Sequence, residues 1–397
     1  MILLVNTGSS SIKMACICMP SETVLAEALA QNLGSAQASL SLKVMGETCN
    51  INLDDGSFAG SMKTCLSALL DEVGMANITA LGHRVVHGGE TFIAPTLLDD
   101  TVIAQIESLS HLAPLHNPSN LLGIRASMKQ LPHVPHIAVF DTAFHHAMPA
   151  YASFYAVPYD WYTEHGVRRY GFHGTSHHYV GEQAGQRLER AFHRCHLITV
   201  HLGNGCSATA ISGGKSIDTT MGMTPLEGLV MGTRSGDIDP AILAFIAKKT
   251  GDSLTSITHT LNHDSGLLGI SGLSNDMRCL LDAAKEGHQR AALAIDVFCY
   301  RLAKHIASLA VALESIDAIV FTGGIGENAS VIRAQTIAHL SCFGVSLDED
   351  KNKQHGHHSN GFIHGAKSAM AVLVIPTNEE VMIARYVNTV LTEEVTT

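Results

Sequence analysis

The chain has 397 residues, 46% of them hydrophobic, which suffices for two or three domains with sizeable cores. A formal net charge of −11 excludes a nucleic-acid or anionic-membrane surface, so any anionic substrate must meet locally placed cations. No apolar run approaches the roughly 18 residues of a membrane span, and MILLVNTGSS lacks the basic start of a signal peptide. The nine cysteines form no CxxC pair and read as reduced core residues of a cytoplasmic protein.

In chain order, residues 2–18 predict a strand, a Gly/Ser turn and a second strand. Helical periodicity follows over 61–73 and 100–111. The buried strand HIAVF (136–140) ends at Asp141, which puts a carboxylate where open α/β sheets expose their chemistry. LITVHLGNGCSATAI (197–211) is again strand, turn, strand. Helical patterns cover 238–261 and 288–314. DAIVFTGGIGENA (317–329) then predicts a strand, a glycine turn and a following helix, and MAVLVI (370–375) a last strand. Pro376 leads from it to a helix holding Asn378, Glu379 and Glu380.

One phrase is written twice: LLVNTGS (3–9) and ITVHLGN (198–204). From Gly8 to Gly203 the offset is 203 − 8 = 195 residues, close to half the chain. Glycines after a strand leave backbone N–H groups open to phosphate oxygens. Two α/β domains of one lineage, each with a phosphate loop, are therefore expected. Two glycine turns loosely match a dinucleotide fingerprint, Gly203-x-Gly205-x-x-Ala208 and Gly324-x-Gly326-x-x-Ala329. The first feeds a strand instead of a helix, and the second leaves too little chain for a doubly wound half.

Cations gather on glycine-rich loops. HRVVHGGE (83–90) carries Arg84, which reads either as a surface ion-pair partner or as an anion ligand. PLHNPSN (114–120) places His116 in a loop or at a helix cap. RRYGFHGTSH (168–177) presents His173, and MGTRSGD (231–237) presents Arg234. Such a set suits phosphoryl transfer, in which catalysis is mostly positioning and charge neutralisation. The histidines at 355, 357, 358 and 364 read as a solvated loop.

These phrases, with LVNTGSSSIK (4–13), FDTAFH (140–145), HLGNG (201–205), GTRSGDIDP (232–240), FTGGIGEN (321–328) and PTNEE (376–380), resemble the acetate kinase family over essentially the whole chain. That family belongs with sugar kinases, actin and the heat-shock chaperone ATPases. The resemblance implies an α/β fold of two duplicated ribonuclease-H-like (actin-like ATPase) domains with an active-site cleft between them that closes to exclude water. Residues 1–145 would form an N-terminal acyl- and metal-binding domain, with a C-terminal helix of about 381–397 packing back on it. Residues 146–380 would form a nucleotide-binding and dimerisation domain.

The activity implied is reversible, Mg2+-dependent transfer of the ATP γ-phosphoryl group to acetate, giving acetyl phosphate and ADP. A short-chain homologue such as propionate is the alternative acceptor, and a sugar kinase or polyphosphatase of the same superfamily a more distant one. Mn2+ can substitute for Mg2+, the co-substrates are ATP and ADP, and the partners are these small molecules and a second copy in a homodimer.

By the same resemblance Asn6 and Glu379 hold the metal, with Ser9 and Ser11 close by. Lys13 contacts the nucleotide at its transferred phosphate end, and the stretch His201, Leu202, Gly203, Asn204, Gly205 takes the nucleotide phosphates. Asp276, Met277 and Arg278 with Gly323, Gly324, Ile325, Gly326 and Glu327 take the adenosine, although Asp276 and Arg278 also read as a helix cap. Arg84 pairs the acyl carboxylate, and Arg234 and His173, with His116 nearby, meet the transferring phosphoryl group. Val86, Leu115, Phe172 and Pro225 form the acyl pocket. The family pattern makes Asp141 a proton carrier. A carboxylate acceptor is already ionised at neutral pH, however, so an orienting role is expected instead. Direct in-line transfer is expected, with a phospho-enzyme as the alternative route.

Overall fold

The computed structural model describes residues 1–8, 10–35, 37–53 and 55–394, so Ser9 and residues 395–397 lie outside the described residues. Contacts divide the chain into two units, one made of Met1–Phe144 with the segment from Asn378 onward, the other of His145–Thr377.

The first unit is built on an eight-stranded sheet. Its strands are β1 (Ile2–Thr7), β2 (Ser11–Cys18), β3 (Thr23–Gln31), β4 (Ser39–Val44), β5 (Glu47–Ile51), β6 (Ala80–Val85), β7 (Thr96–Leu97) and β8 (His136–Phe140). They lie in the order β5-β4-β3-β2-β1-β6-β8-β7. The short apolar run of β1 is buried at Ile2 to Val5, as a central strand covered on both faces requires. One face packs against the helix Phe58–Val73, whose Met62, Cys65, Leu66 and Leu69 meet Leu3, Val5, Met14 and Ala28 in a single core. Ser57 starts that helix by accepting a hydrogen bond from Gly60 N. On the other side of the sheet order, the helices Asp100–Ser108 and Asn117–Gln130 cover Val85, Phe92, Ala138 and Phe140.

The second unit holds five strands, β9 (His196–Leu202), β10 (Cys206–Ser212), β11 (Lys215–Thr219), β12 (Ala318–Thr322) and β13 (Ala371–Val374), in the order β11-β10-β9-β12-β13. The apolar helix Gln289–Ala310 buries Ala294, Ile295, Phe298, Leu302 and Ile306 and packs against β9 and β10.

Within each unit the same five-strand pattern recurs. In the first, β1 pairs antiparallel with β2 and β2 with β3, while β6 and β8 add in parallel. In the second, β9 pairs antiparallel with β10 and β10 with β11, while β12 and β13 add in parallel. The doubled phrase occupies the first hairpin of each copy. Strands β4, β5 and β7 are additions to the first sheet's edges.

The chain leaves β13 through Pro376 and enters the helix Glu379–Glu394, which packs on β1 and β6 of the first unit. Asn378 stands just ahead of that helix, and its Oδ1 accepts from Val381 N at 3.0 Å. Among the described residues no helix is long and apolar enough to cross a membrane.

Candidate active site

In the first unit, parallel pairing of β6 with β8 sets Arg84 opposite Val139 and Val85 opposite Phe140. Asp141 follows at the carboxyl end of β8, with its N–H donating to Val85 O at 3.0 Å. From there its buried carboxylate accepts twice from Arg84, Oδ1 from Nε at 2.9 Å and Oδ2 from Nη2 at 2.6 Å. Such a two-bond fork is the strongest geometry open to this pair. Burial works against the Arg84 charge, but Asp141, Glu379 and Glu380 outweigh it and raise the guanidinium pKa. Burial pushes the Asp141 carboxyl up from its ordinary value, and Arg84 opposes that push. The bidentate pair is an ion pair, with Asp141 a carboxylate.

The loop after β6 is pinned by the helix Asn117–Gln130. Asn120 Oδ1 accepts from Val86 N, and Asn117 Oδ1 from His87 N, both at 3.1 Å. Asn117 Nδ2 returns a bond to His87 O at 3.0 Å, and Asn120 Nδ2 donates to Thr7 O at 2.7 Å. Thr142 Oγ1 accepts from Gly88 N at 3.0 Å. Asn117, Asn120 and Thr142 therefore hold the backbone of Val86, His87 and Gly88 although their own side chains face backbone. The phrase HNPSN drew attention only to His116, which stands at the N-terminal end of this helix without a capping bond from its side chain. The His116 charge lowers the Asp141 pKa against the burial.

Asn6 is the last residue but one of β1 and is paired across the hairpin with Lys13. Lys13 Nζ forms an ion pair with Glu380 Oε1. Glu379 opens the last helix, which packs on β1, and its charge is felt by both Arg84 and Asp141. An amide and a carboxylate supply the hard oxygen ligands Mg2+ prefers. Because that ion keeps several waters and takes phosphate oxygens, a two-residue set fits it. Among the described residues no group of three or more His, Cys, Asp or Glu could hold a metal.

In the second unit the glycine turn between β9 and β10 closes with Gly203 N donating to Gly205 O at 3.0 Å. His173 adopts a left-handed backbone (φ 57°) at the start of the helix Gly174–Arg187. A Cβ placed on Gly205 would lie 3.4 Å from His173 Nε2 and 3.5 Å from Arg234 Nη1, so both side chains face this turn. Arg234 Nη1 donates to Pro225 O at 3.2 Å, and burial lowers its pKa from the ordinary value. The His173 ring lies 4.4 Å from that of His201.

Beside this turn opens a cavity of about 480 Å³, lined by Gly203, Asn204, Asp276, Met277, Arg278, Gly324 and Ile325 from the predicted set, together with Asn275, Leu281, Asn328 and Ala329. Asp276 caps the helix Met277–Lys285 by accepting from Arg278 N at 2.8 Å, and also pairs with the Arg278 side chain at 2.6 Å. Those bonds hold its pKa down at about 2. SNDMR is thus a helix cap whose residues also line the cavity. The Glu327 carboxylate, expected toward the adenosine, accepts from Gly323 N at 2.9 Å and Thr377 N at 3.2 Å. Gly323 has φ +76°, and a Cβ there would lie 2.7 Å from Leu202 O, so the turn requires glycine.

The four predicted acyl-pocket residues divide between the units. Val86 and Leu115 belong to the first, with Leu115 53% exposed, while Phe172 and Pro225 belong to the second, with Phe172 fully buried.

The Acetokinase family model matches residues 1–385. The chain belongs to the acetokinase family. It is 50% identical over 384 residues to the acetate kinase of Deinococcus radiodurans, covering 96% of each chain. It is 46% identical over 387 residues to that of Shouchella clausii, covering 97% of this chain and 98% of that one. Among solved structures it superposes on a propionate kinase from Francisella tularensis with a TM-score of 0.93 and 45% identity, covering 97% and 98% of the two chains. The Porphyromonas gingivalis acetate kinase gives 0.91 and 41%, covering 98% and 99%. The acetokinase fold is thus the two-sheet, actin-like α/β architecture described above.

Of the histidines at 355, 357, 358 and 364, His357 and His358 are exposed while His355 packs on a buried arginine. His355 Nδ1 lies 3.1 Å from Nη2 of the buried Arg333, which also donates to Gly326 O at 2.8 Å and Glu327 O at 3.0 Å.

Proposed function

We propose that the chain catalyses reversible transfer of the γ-phosphoryl group of ATP to acetate, forming acetyl phosphate and ADP. The observation that carries this reading is the Arg84–Asp141 fork in one unit and, in the other, a glycine turn faced by His173 and Arg234 next to a nucleotide-sized cavity. The acetate carboxylate meets Arg84. It attacks the γ-phosphorus in line, forming a carboxyl P–O bond as the bond to the β-phosphate oxygen breaks and ADP departs with that electron pair. No proton is removed, because the acceptor is already anionic. Asp141 therefore serves by fixing the Arg84 fork.

His173 and Arg234 neutralise the moving phosphoryl oxygens, with His116 contributing charge on the acceptor side. His201 to Gly205 and Lys13 take the nucleotide phosphates, and the adenosine enters the cavity between Asp276–Arg278 and Gly323–Glu327. Asn6 and Glu379 would hold Mg2+, which supplies charge neutralisation at the phosphates when bound. Val86, Leu115, Phe172 and Pro225 enclose the acetate methyl group. Propionate is the second reading, favoured by the likeness to the Francisella enzyme.

A coupled assay tests this: ADP release with acetate, propionate, butyrate, glycerol or no acceptor, plus hydroxylamine trapping of acyl phosphate. Acetate should give the hydroxamate with matching ADP. ADP release without hydroxamate would overturn the reading, and phosphate trapped on a side chain at the turnover rate would replace direct transfer with a phospho-enzyme.

We also propose a homodimer formed through the second unit, acting in the cytoplasm. No residue of the helix Ala241–Thr250 is buried, and Ile242, Phe245 and Leu254 of it and its successor Leu254–His263 are exposed. Nine free cysteines, five of them buried, suit a reducing compartment. Sedimentation should show a dimer that Phe245→Glu weakens.

A further inference from the structure

Pro225 and Arg234 both stand on the irregular stretch of chain between β11 and the helix Ala241–Thr250. No ladder of backbone bonds holds such a stretch, so side chains must place it. We propose that Glu227, held by Arg169 and Tyr155, is a positioning residue that sets Arg234 and Pro225 for phosphoryl transfer. The inference rests on the roles assigned to Arg234 and Pro225 above.

Every bond around Glu227 has a fixed direction, because each joins an N–H or a phenol O–H to a carboxylate, a carbonyl or the phenol oxygen. Arg169 Nη2 donates to Glu227 Oε1 at 2.7 Å. With side chains only 18% and 30% exposed, this ion pair escapes the solvent screening that makes surface pairs weak. Arg169 Nη1 donates to Thr219 O and Thr220 O, both at 2.9 Å, and to Met221 O at 3.3 Å, so one guanidinium gathers the carbonyls at which the chain leaves β11. Tyr155 Oη gives its proton to Glu227 Oε2 and accepts from Met223 N at 2.9 Å. Burial, and then the Glu227 charge, push the Tyr155 phenol pKa up, so it stays a donor. A Cβ on Gly222 would run into both Glu227 Oε2 and Tyr155 Oη, so the backbone lies directly against this pair. Gly222 O in turn accepts from Tyr170 N at 3.1 Å and Gly171 N at 3.2 Å, in the segment that continues into Phe172 and His173.

From Glu227 the restraint reaches the site in short steps. Two residues earlier, Pro225 O accepts from Arg234 Nη1 at 3.2 Å. One residue later, Gly228 N donates to Asp237 Oδ1 at 2.7 Å and Asp237 N returns a bond to Gly228 O at 3.0 Å, which closes the loop three residues beyond Arg234. The helix Gln289–Ala310 fixes the same corner, Arg301 Nη2 donating to Asp237 O at 2.8 Å. Arg234 is therefore oriented at its guanidinium by Pro225 and at its backbone through Gly228, the two sides of Glu227. Releasing Glu227 moves the acyl-pocket proline and the guanidinium together. The nucleotide cavity is walled by other segments.

A double-mutant cycle tests this. Glu227→Gln keeps the shape and removes the charge that Arg169 meets. It should lower kcat roughly tenfold or more, as misplacing a positioning group does, and raise KM for acetate more than KM for ATP. In an Arg234→Ala background the same change should cost less than about threefold in kcat, because the guanidinium it places is gone. An equal loss in both backgrounds would overturn the inference and leave the role of Arg234 standing. An Arg234→Ala enzyme with native kcat would remove that role and the inference with it. A Glu227→Gln enzyme with lower Tm but native kcat and KM would make the cluster merely structural. Should Glu227→Gln fail to fold, Tyr155→Phe, which keeps the ion pair, enters the same cycle. Its loss of roughly threefold, the scale of one hydrogen bond, should likewise vanish without Arg234, and native kinetics in Tyr155→Phe would overturn the inference.

Discussion

Replacing Asp141 with asparagine separates an orienting carboxylate from a proton carrier. The native carboxylate accepts from Arg84 Nε at 2.9 Å and Nη2 at 2.6 Å inside a buried site. Asparagine is nearly isosteric and can keep one of these bonds through Oδ1, but its amide N–H2 then meets Nη2–H donor to donor. One charge-assisted bond, worth about 1.5–3 kcal/mol, is lost, and a buried donor left unsatisfied adds about 1–3 kcal/mol. The total of roughly 2.5–6 kcal/mol brackets the cost of about 3–5 kcal/mol for breaking a buried ion pair. If most of it falls on the placement of Arg84, kcat/KM for acetate drops by about 10²- to 10³-fold, at 1.36 kcal/mol per decade. Initial rates measured with acetate and ATP varied separately should show the loss in kcat/KM for acetate, with KM for ATP nearly native. The pH profile should keep its shape, because no Asp141 proton moves in the reaction. Retained turnover with a displaced pH limb would refute the orienting role.

Four further outcomes are expected. Gly323→Ala should lower the urea midpoint by the left-handed backbone cost of about 1–2 kcal/mol and more, since the new methyl meets Leu202 backbone atoms at 2.7 to 2.9 Å. Gly324→Ala has no atom within 4 Å of its Cβ and should leave stability unchanged while raising KM for ATP. Val86→Ala should raise the propionate-to-acetate ratio of kcat/KM by roughly tenfold, the value of about 1–3 kcal/mol per methylene, and an unchanged ratio removes Val86 from the pocket. Glu22 accepts from Arg385 at 2.6 and 2.9 Å, and that bond, ahead of the opposing burial, depresses its pKa. A depressed carboxyl stabilises the fold above its unfolded value of about 4.3 and loses that contribution as pH falls through the lower folded value. Glu22→Gln should therefore reduce the Tm near neutrality and flatten its fall below pH 5, whereas an equal acid slope would show that the pair contributes nothing.

What could be read from the residues follows from where the information resides. The hairpin at residues 2–18, the strand ending at Asp141 and the helix beginning at Gln289 announce themselves through local apolar pattern and turn chemistry, and each stands as expected. The strands β3 to β5 carry no such signal. Their half-exposed alternation, as in Ser39–Val44, becomes specific only beside β2. The fork between Arg84 and Asp141 lies 57 positions apart in sequence and is made by parallel strand pairing, so each residue alone stayed ambiguous. Asn117, Asn120 and Thr142 escaped notice for another reason. Their side chains serve backbone groups of a loop, a task any polar residue at the right spot could announce no better from sequence.

The doubled phrase shows how duplication is turned to unlike ends. Both copies put a glycine turn at the end of a central strand, and both turns close with a backbone bond, Gly8 N to Ser11 O at 2.8 Å and Gly203 N to Gly205 O at 3.0 Å. What differs is the residue ahead of the glycine and what reaches it. In the first copy Asn6 pairs with Lys13, whose ammonium is tied to Glu380, so this hairpin carries oxygen ligands and a carboxylate-held cation suited to a metal and anionic phosphates. In the second, His201 and Gly205 are met by His173 and Arg234, so two imidazoles and a guanidinium gather at the turn. Exchanging Asn6 for histidine, the residue two places before the glycine in the second copy, should therefore abolish the Mg2+ dependence of ATP binding without unfolding the first unit. Calorimetric titration of ATP with and without Mg2+ would show it. Persisting Mg2+ dependence would mean that the two turns do not divide the work in this way.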